Sequence, residues 1–145
     1  MRILVVDDEL VSRKKMRRIM SNFGDCDMAE NGRQALAAFE SSWERLMPYD
    51  LLMLDIHMPE LDGTEVLKTI RQREAEMGVA HGAGLRIVMV TAVSDGNMVS
   101  SSLASGCDEY IVKPFDILTV TEKIRRLFVD DPEFRDLGPD NRLGS

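Results

Sequence analysis

Short apolar runs alternate with amphipathic segments along most of the chain. Five runs have the length of buried strands, and the second is the weakest: residues 3–6, 26–29, 51–54, 87–90 and 110–112. Unbroken apolar runs of this length are typical of strands that are covered on both faces of a sheet. The pattern therefore predicts five buried strands.

The segments between these runs repeat apolar residues at the three- and four-residue spacing of an α-helix. The five stripes are Met16, Ile19, Met20, Phe23; Ala35, Leu36, Phe39; Val66, Leu67, Ile70; Met98, Val99, Leu103; and Ile117, Val120, Ile124, Leu127, Phe128. Turn signals separate the units, at Asn31-Gly32, Asp62-Gly63, Asp95-Gly96 and Gly106. Strand followed by helix, five times over, predicts a doubly wound α/β fold with one parallel five-stranded sheet and right-handed crossovers.

Two segments depart from this alternation. Residues 78–84 form a loop rich in glycine and alanine, which lacks the lysine and the following helix of a phosphate-binding loop. After residue 129 the chain is acidic, and Asp131-Pro132 is typical of a helix start from which Phe134 and Leu137 would pack back on the body. We expect one domain at residues 1–129, and an acidic tail or linker with a short helix at residues 130–145.

Composition narrows the class of protein. The 145 residues are 44% hydrophobic and 30% charged, the balance of a globular protein, and the net charge of −7 argues against a surface that grips nucleic acid. Cys26 and Cys107 make neither a disulfide framework nor a metal motif, so we expect two reduced thiols. The first apolar run is too short for a signal peptide, and no run has membrane-spanning length. We expect a cytoplasmic protein that contacts neither nucleic acid nor a membrane directly.

Polar residues follow the predicted strands at their carboxyl ends. Asp7 and Asp8 come after the first strand and Asp55 after the third, while Thr91 ends the fourth and Lys113 ends the fifth. This edge of an open parallel sheet is where ligands bind. Carboxylates gathered there repel one another unless a cation lies among them. Oxygen ligands without a histidine or cysteine cluster favour Mg²⁺, or Mn²⁺, over zinc.

Such a site suits a magnesium ion together with a phosphoryl group. Asp55 would be the nucleophile that forms an aspartyl phosphate. Lys113 would pair with one phosphoryl oxygen, and Thr91 would donate a hydrogen bond to another. Each residue is a weak signal alone, because aspartates after a strand are often a polar turn or a helix cap. The hypothesis depends on all of them falling at strand ends within one framework.

Four motifs resemble the receiver domain of two-component response regulators. They are Val5-Val6-Asp7-Asp8-Glu9, Leu54-Asp55-Ile56-His57-Met58-Pro59-Glu60-Leu61-Asp62-Gly63, Val90-Thr91-Ala92 and Tyr110-Ile111-Val112-Lys113-Pro114-Phe115. The resemblance covers residues 1–129 and all five strand–helix units. It implies a flavodoxin-like, CheY-like (βα)₅ sandwich with the strand order 2-1-3-4-5.

The resemblance also implies roles for the residues at the carboxyl edge. Asp55 matches the phosphoacceptor. Asp8, Asp55 and the backbone carbonyl of His57 match the Mg²⁺ ligands, and Asp7 matches an acid that acts through water. The imidazole of His57 is expected at the rim of the pocket.

Three further residues match the switch and its surroundings. Thr91 and Tyr110 match the hydroxyl and the aromatic ring that change position on phosphorylation. Lys113 matches the family's lysine, and a cis peptide is expected before Pro114.

The implied function is that of a phosphorelay signal receiver. A sensor histidine kinase or a phosphotransfer protein would donate the phosphoryl group to Asp55. The surface of the fourth helix, fifth strand and fifth helix would then change and control the binding of an unidentified downstream protein. The chain would be a monomer, or would dimerise through that surface when phosphorylated. It would catalyse only its own phosphorylation and dephosphorylation.

Alternatives remain open from the sequence. A Mg²⁺-dependent phosphatase would also use a strand-end aspartate, but it places a second acid two residues on, where this chain has His57. A receiver-shaped binding module that is never phosphorylated is disfavoured by the complete set of acids, threonine and lysine. The basic run Arg13, Lys14, Lys15, Arg17, Arg18 is either a solvated helical face or part of a kinase-docking surface. Whether the chain stands alone or belongs to a longer regulator also stays open.

Overall fold

The predicted alternation of strands and helices is confirmed over residues 1–92 and 96–131, the part of the chain that the computed structural model describes. The elements are β1 (Arg2–Val6), α1 (Leu10–Met20), β2 (Asp25–Ala29), α2 (Gly32–Glu44), β3 (Leu51–Asp55), α3 (Gly63–Glu76), β4 (Arg86–Ala92), α4 (Gly96–Ala104), β5 (Glu109–Lys113) and α5 (Ile117–Leu127). The predicted tail helix, with Phe134 and Leu137, lies outside the described residues, as does Asp95 of the predicted turn.

The strands form one parallel sheet in the order β2-β1-β3-β4-β5, as predicted. β1 and β3 are neighbours near the centre, and Val6 pairs with Leu54 in their register. The next residues along these strands, Asp7 and Asp55, therefore lie side by side at the carboxyl edge. The topology itself brings two of the candidate acids together.

Side chains of successive strand residues point to opposite faces of the sheet, so each strand contributes to two separate cores. On one face, Leu4, Leu52 and Ile87 pack with residues of α2 and α3. On the other face, Val5 and Met53 pack with α1 and α5. Both faces of the central strands are covered, which is why their sequences are continuously apolar.

The prediction of a buried strand is wrong for β2 and only partly right for β5. Ala29 is the one fully buried residue of β2, and Met28 is 44% exposed. In β5, Ile111 is fully buried and its neighbours are half-buried. Both strands lie at edges of the sheet, where fewer neighbours cover them. This position also accounts for the weak apolar run at residues 26–29.

Two of the predicted turn signals are helix N-caps. The side chains of Asn31 and Asp62 accept hydrogen bonds from the backbone N–H groups of Gln34 and Glu65, at the starts of α2 and α3. Gly63 follows Asp62, and a Cβ atom at Gly63 would lie 2.3 Å from the carbonyl oxygen of Asp55. Glycine therefore allows the start of α3 to pack directly against the end of β3.

The glycine-rich loop at residues 78–84 is fastened to α3 by a buried carboxylate. Glu74 accepts hydrogen bonds from the backbone N–H of Leu85 at 2.7 Å and from the guanidinium of Arg71 at 2.6 Å. A Cβ atom at Gly84 would collide with that carboxylate. The end of the loop is thus held against α3, whereas residues 80–83 are exposed. No helix within the described residues is long and apolar enough to cross a membrane.

Candidate functional site

Three aspartates meet at the carboxyl edge of the sheet. Asp7, Asp8 and Asp55 can each place one carboxylate oxygen within 4.8 Å of the others. Asp7 and Asp55 are each 4% exposed, whereas Asp8 is open to solvent. The sequence-based prediction that these acids converge is confirmed. Together they form a concave cluster of hard oxygen ligands, the donor type that suits Mg²⁺ or Mn²⁺.

Lys113 reaches this cluster from the edge strand β5. Its Nζ donates a hydrogen bond to Asp7 Oδ2 at 3.2 Å and lies 3.5 Å from Asp55 Oδ1. The following peptide, Lys113–Pro114, is cis, as predicted. Burial opposes the charge of the ammonium group, but the charges of Asp55 and Asp7 outweigh it and raise the pKa of Lys113 above its ordinary value. Lys113 is therefore a permanent cation facing both buried acids.

One lysine does not neutralise three carboxylates. Burial, and then the negative charge of Asp7, raise the pKa of Asp55 from 3.8 to about 7, although Lys113 lowers it. Asp8 adds a smaller repulsion in the same direction. The site thus carries an excess of negative charge that a divalent cation would relieve.

This raised pKa predicts an unusual dependence of stability on pH in protein without a metal ion. Between about pH 4 and pH 7, folded Asp55 holds a proton that the unfolded chain has released, so the free energy of unfolding falls as the pH rises. The contribution is complete below the unfolded pKa of Asp55 and is lost above pH 7. We expect the contribution of Asp55 to the free energy of unfolding to fall by about 2 kcal/mol between pH 5 and pH 8, with solvent screening allowed for.

Urea unfolding of the unsubstituted protein and of Asp55→Asn, both in EDTA, isolates this contribution from that of the other carboxylates. The variant is expected to gain stability relative to the unsubstituted protein as the pH rises. Parallel pH curves for the two proteins would contradict the assignment of the shifted pKa to Asp55.

Thr91 and Tyr110 lie on neighbouring strands beside the acids. Thr91 is buried at the end of β4, and its Oγ1 donates to the carbonyl oxygen of Ala92 at 3.2 Å. Tyr110 lies half-buried on β5 and packs against the core on the α3 side of the sheet. Thr91 follows Met89 of that same core by two residues, so both side chains face the same side.

A lysine of α5 covers one face of the Tyr110 ring. Lys123 Nζ lies 4.2 Å from the ring centroid and donates a hydrogen bond to the Tyr110 carbonyl oxygen at 2.7 Å. This cation–π contact links β5 to α5 on the surface that was predicted to change on phosphorylation. The side chain of His57, two residues after Asp55, is exposed, as expected for a residue at the rim.

Arg13 is the residue of this region that the sequence interpretation misplaced. The interpretation of the basic run as a solvated face is wrong for Arg13, which is 7% exposed and donates a hydrogen bond to the backbone carbonyl of Asp7 at 2.8 Å. Its spacing could have shown this, because Arg13 precedes Met16 by three residues and Met20 by seven, on the buried stripe of α1. Lys14, Arg17 and Arg18 are exposed.

The strand order and the helices on both faces define a flavodoxin-like α/β domain of the CheY-like class. The family model for the response regulator receiver domain matches residues 3–125. This chain belongs to that family, which confirms the resemblance found in the sequence. It is therefore a receiver domain of two-component signalling.

Individual relatives agree with this assignment. The chain is 35% identical to the chemotaxis protein CheY of Bacillus subtilis over 127 residues, which are 86% of this chain and 95% of that protein. It is 36% identical to the sensor histidine kinase GacS of Pseudomonas protegens over 114 residues, which are 78% of this chain but 12% of the kinase. The receiver domain of NtrX from Brucella abortus superimposes with a TM-score of 0.73 at 28% identity, covering 88% of this chain and 98% of that structure.

Proposed function

We propose that this receiver takes up a phosphoryl group on Asp55. The observation that carries the proposal is the position of the Asp55 carboxylate, which is buried beside Asp7 and 3.5 Å from the Lys113 ammonium. A carboxylate oxygen of Asp55 would attack phosphorus, and the bond from phosphorus to the leaving nitrogen or oxygen of the donor would break. Lys113 would pair with a phosphoryl oxygen, and Thr91 would donate a hydrogen bond to another.

The metal in this proposal is Mg²⁺, with Mn²⁺ as a substitute. Asp8, Asp55 and the backbone carbonyl of His57 would hold the ion, and Asp7 would contact it through water. The fit rests on the oxygen ligands of the acidic cluster and on its excess negative charge. When bound, such an ion neutralises charge on the phosphoryl oxygens.

We propose that the output surface consists of α4, β5 and α5. Residues of α4 contribute little to the core, since Ser102 is the one fully buried residue of that helix. Thr91 and Tyr110 connect the site to this surface through β4 and β5. Elements with few buried contacts change conformation most readily. Phosphorylation would shift this surface between two states and so control a downstream protein, or dimerisation of the chain.

The phosphoryl donor would dock between α1 and the start of α5. Val11 and Leu118 are 72% and 78% exposed, at the starts of α1 and α5. Between these helices, Val11, Ser12, Lys15, Lys113, Pro114 and Phe115 line a shallow cavity of about 340 Å³. An apolar patch beside the acids suits a sensor histidine kinase or a phosphotransfer protein.

We propose that the phosphoryl transfer takes place in the cytoplasm. We also propose that the receiver domain spans residues 1–129 and that residues 130–145 form a tail or linker.

Incubation with acetyl phosphate tests the proposal. We expect Mg²⁺ to support the addition of one phosphoryl group per chain by intact mass spectrometry, and EDTA to prevent it. Hydroxylamine converts an acyl phosphate into a hydroxamate, which should mark Asp55 in a peptide map. Modification at another residue would contradict the proposal, as would the absence of uptake from both acetyl phosphate and a phosphorylated histidine phosphotransfer protein.

A further inference from the structure

Arg13 places a buried guanidinium against the backbone of Asp7, one of the three clustered acids. Nη1 donates a hydrogen bond to the carbonyl oxygen of Asp7 at 2.8 Å, and Nη2 lies 3.6 Å from Glu30 Oε1. A buried charge needs partners of this kind because it has given up its hydration. The contact with Glu30 joins α1 to the turn after β2, so the guanidinium is oriented from two sides.

Asp7 is held by protein groups at every polar atom. Its N–H donates to Ala29 O at 3.2 Å, and its Oδ1 accepts the N–H of Glu9 at 2.9 Å. Its Oδ2 accepts a hydrogen bond from Lys113, and its carbonyl oxygen accepts the one from Arg13. Arg13 thus contacts the backbone of this loop and leaves the Asp7 carboxylate oxygens to Lys113 and Glu9.

The carbonyl of Asp7 belongs to the peptide group that joins Asp7 to Asp8. Because this group is planar, fixing its oxygen also fixes the direction of its N–H and the position of the Asp8 Cα atom. Asp8 is the exposed acid of the cluster, and its side chain has less protein around it than those of Asp7 and Asp55. The orientation of this one peptide group therefore sets the position from which the Asp8 side chain starts.

We propose that Arg13 is a positioning residue for the cation site. By holding the Asp7–Asp8 peptide group, it directs Asp8 toward Asp55, and Glu30 keeps its guanidinium in place. The inference rests on the proposed function, because it assumes that Asp8 and Asp55 bind the cation together. Groups that orient metal ligands in this way typically change metal affinity by about 10- to 100-fold.

Calorimetric titration with MgCl₂ at constant ionic strength tests the role of Arg13. The proteins are the unsubstituted chain, Arg13→Gln, Arg13→Lys and the matched control Arg18→Gln, which removes an equal charge from an exposed position of the same helix. Loss of a positive charge alone would tighten Mg²⁺ binding slightly in both glutamine variants. A positioning role predicts the opposite sign at residue 13: an affinity about 10-fold weaker in Arg13→Gln. Arg13→Lys should recover part of the affinity, and Arg18→Gln should bind Mg²⁺ as tightly as the unsubstituted protein does, or slightly more tightly.

Each outcome separates this role from its alternatives. A folded Arg13→Gln variant that binds Mg²⁺ as well as Arg18→Gln does would overturn the positioning role. Failure of both Arg13→Gln and Arg13→Lys to fold, seen by circular dichroism, would assign the residue to stability and overturn it as well. Absence of Mg²⁺ binding in the unsubstituted protein would contradict the proposed function itself.

Discussion

The Asp55→Asn variant is expected to take up no phosphoryl group from acetyl phosphate under conditions that modify the unsubstituted protein. An amide oxygen has almost the size of a carboxylate oxygen, so the variant keeps the packing at the end of β3. It lacks the anionic nucleophile, however, and the amide cannot form an acyl phosphate. The loss should be complete, because the Asp7 carboxylate already accepts hydrogen bonds from Lys113 and Glu9, and Asp8 would be engaged as a ligand of the metal ion.

The matched control for this variant is Asp25→Asn. Asp25 is an exposed aspartate at the start of β2, and its substitution changes the net charge by the same amount. Asp25→Asn should be modified at the rate of the unsubstituted protein, as followed by intact mass spectrometry. Persistent modification of Asp55→Asn would show that another side chain is the acceptor.

The second large effect is expected at Lys113. Replacement by glutamine removes the ammonium that faces Asp7 and Asp55, and with it the charge that would stabilise the phosphoryl oxygens during transfer. Removal of one preorganised donor of this type reduces a rate by about 10²- to 10³-fold. We therefore expect Lys113→Gln to be phosphorylated slowly at saturating Mg²⁺, with the rate measured over a series of acetyl phosphate concentrations.

The Mg²⁺ affinity of Lys113→Gln shows whether its slow phosphorylation comes from the missing ammonium group or from loss of the bound metal ion. Without Lys113 the acids carry more uncompensated charge, so Mg²⁺ should bind at least as tightly as before. Lys68→Gln, an exposed position on α3, is the charge-matched control and should behave as the unsubstituted protein. A normal phosphorylation rate in Lys113→Gln would remove this lysine from the proposed chemistry.

The sequence predicted the fold best for the strands that are buried on both faces. β1, β3 and β4 lie inside the sheet, so their apolar runs and the acids that follow them were identified directly. The partial exposure of β2 and β5 could not be predicted in the same way. Whether a strand lies at the edge of a sheet depends on which strands pair with it, and its own residues do not show this. The site residues could be placed together because parallel strands end at a common edge.

Other features depend on three-dimensional packing, and their contact partners could not be predicted from local patterns. Arg13 was grouped with its basic neighbours, because a charged side chain normally indicates a solvated face and its carbonyl partner is invisible in sequence. The contact of Lys113 Nζ with Asp7 at 3.2 Å, beside the one with Asp55 at 3.5 Å, is one such feature. The buried Glu74, which holds the glycine-rich loop, was likewise unforeseen.

The exposed edge strand β2 has a consequence for how molecules of this protein meet at high concentration. An uncovered strand offers its backbone as a template on which a second chain can add a strand. Asp25 and Asp27 stand on this short strand with exposed carboxylates, so two such edges brought together would oppose like charges. The features that make β2 difficult to recognise as a strand therefore also protect the sheet from growing into an aggregate.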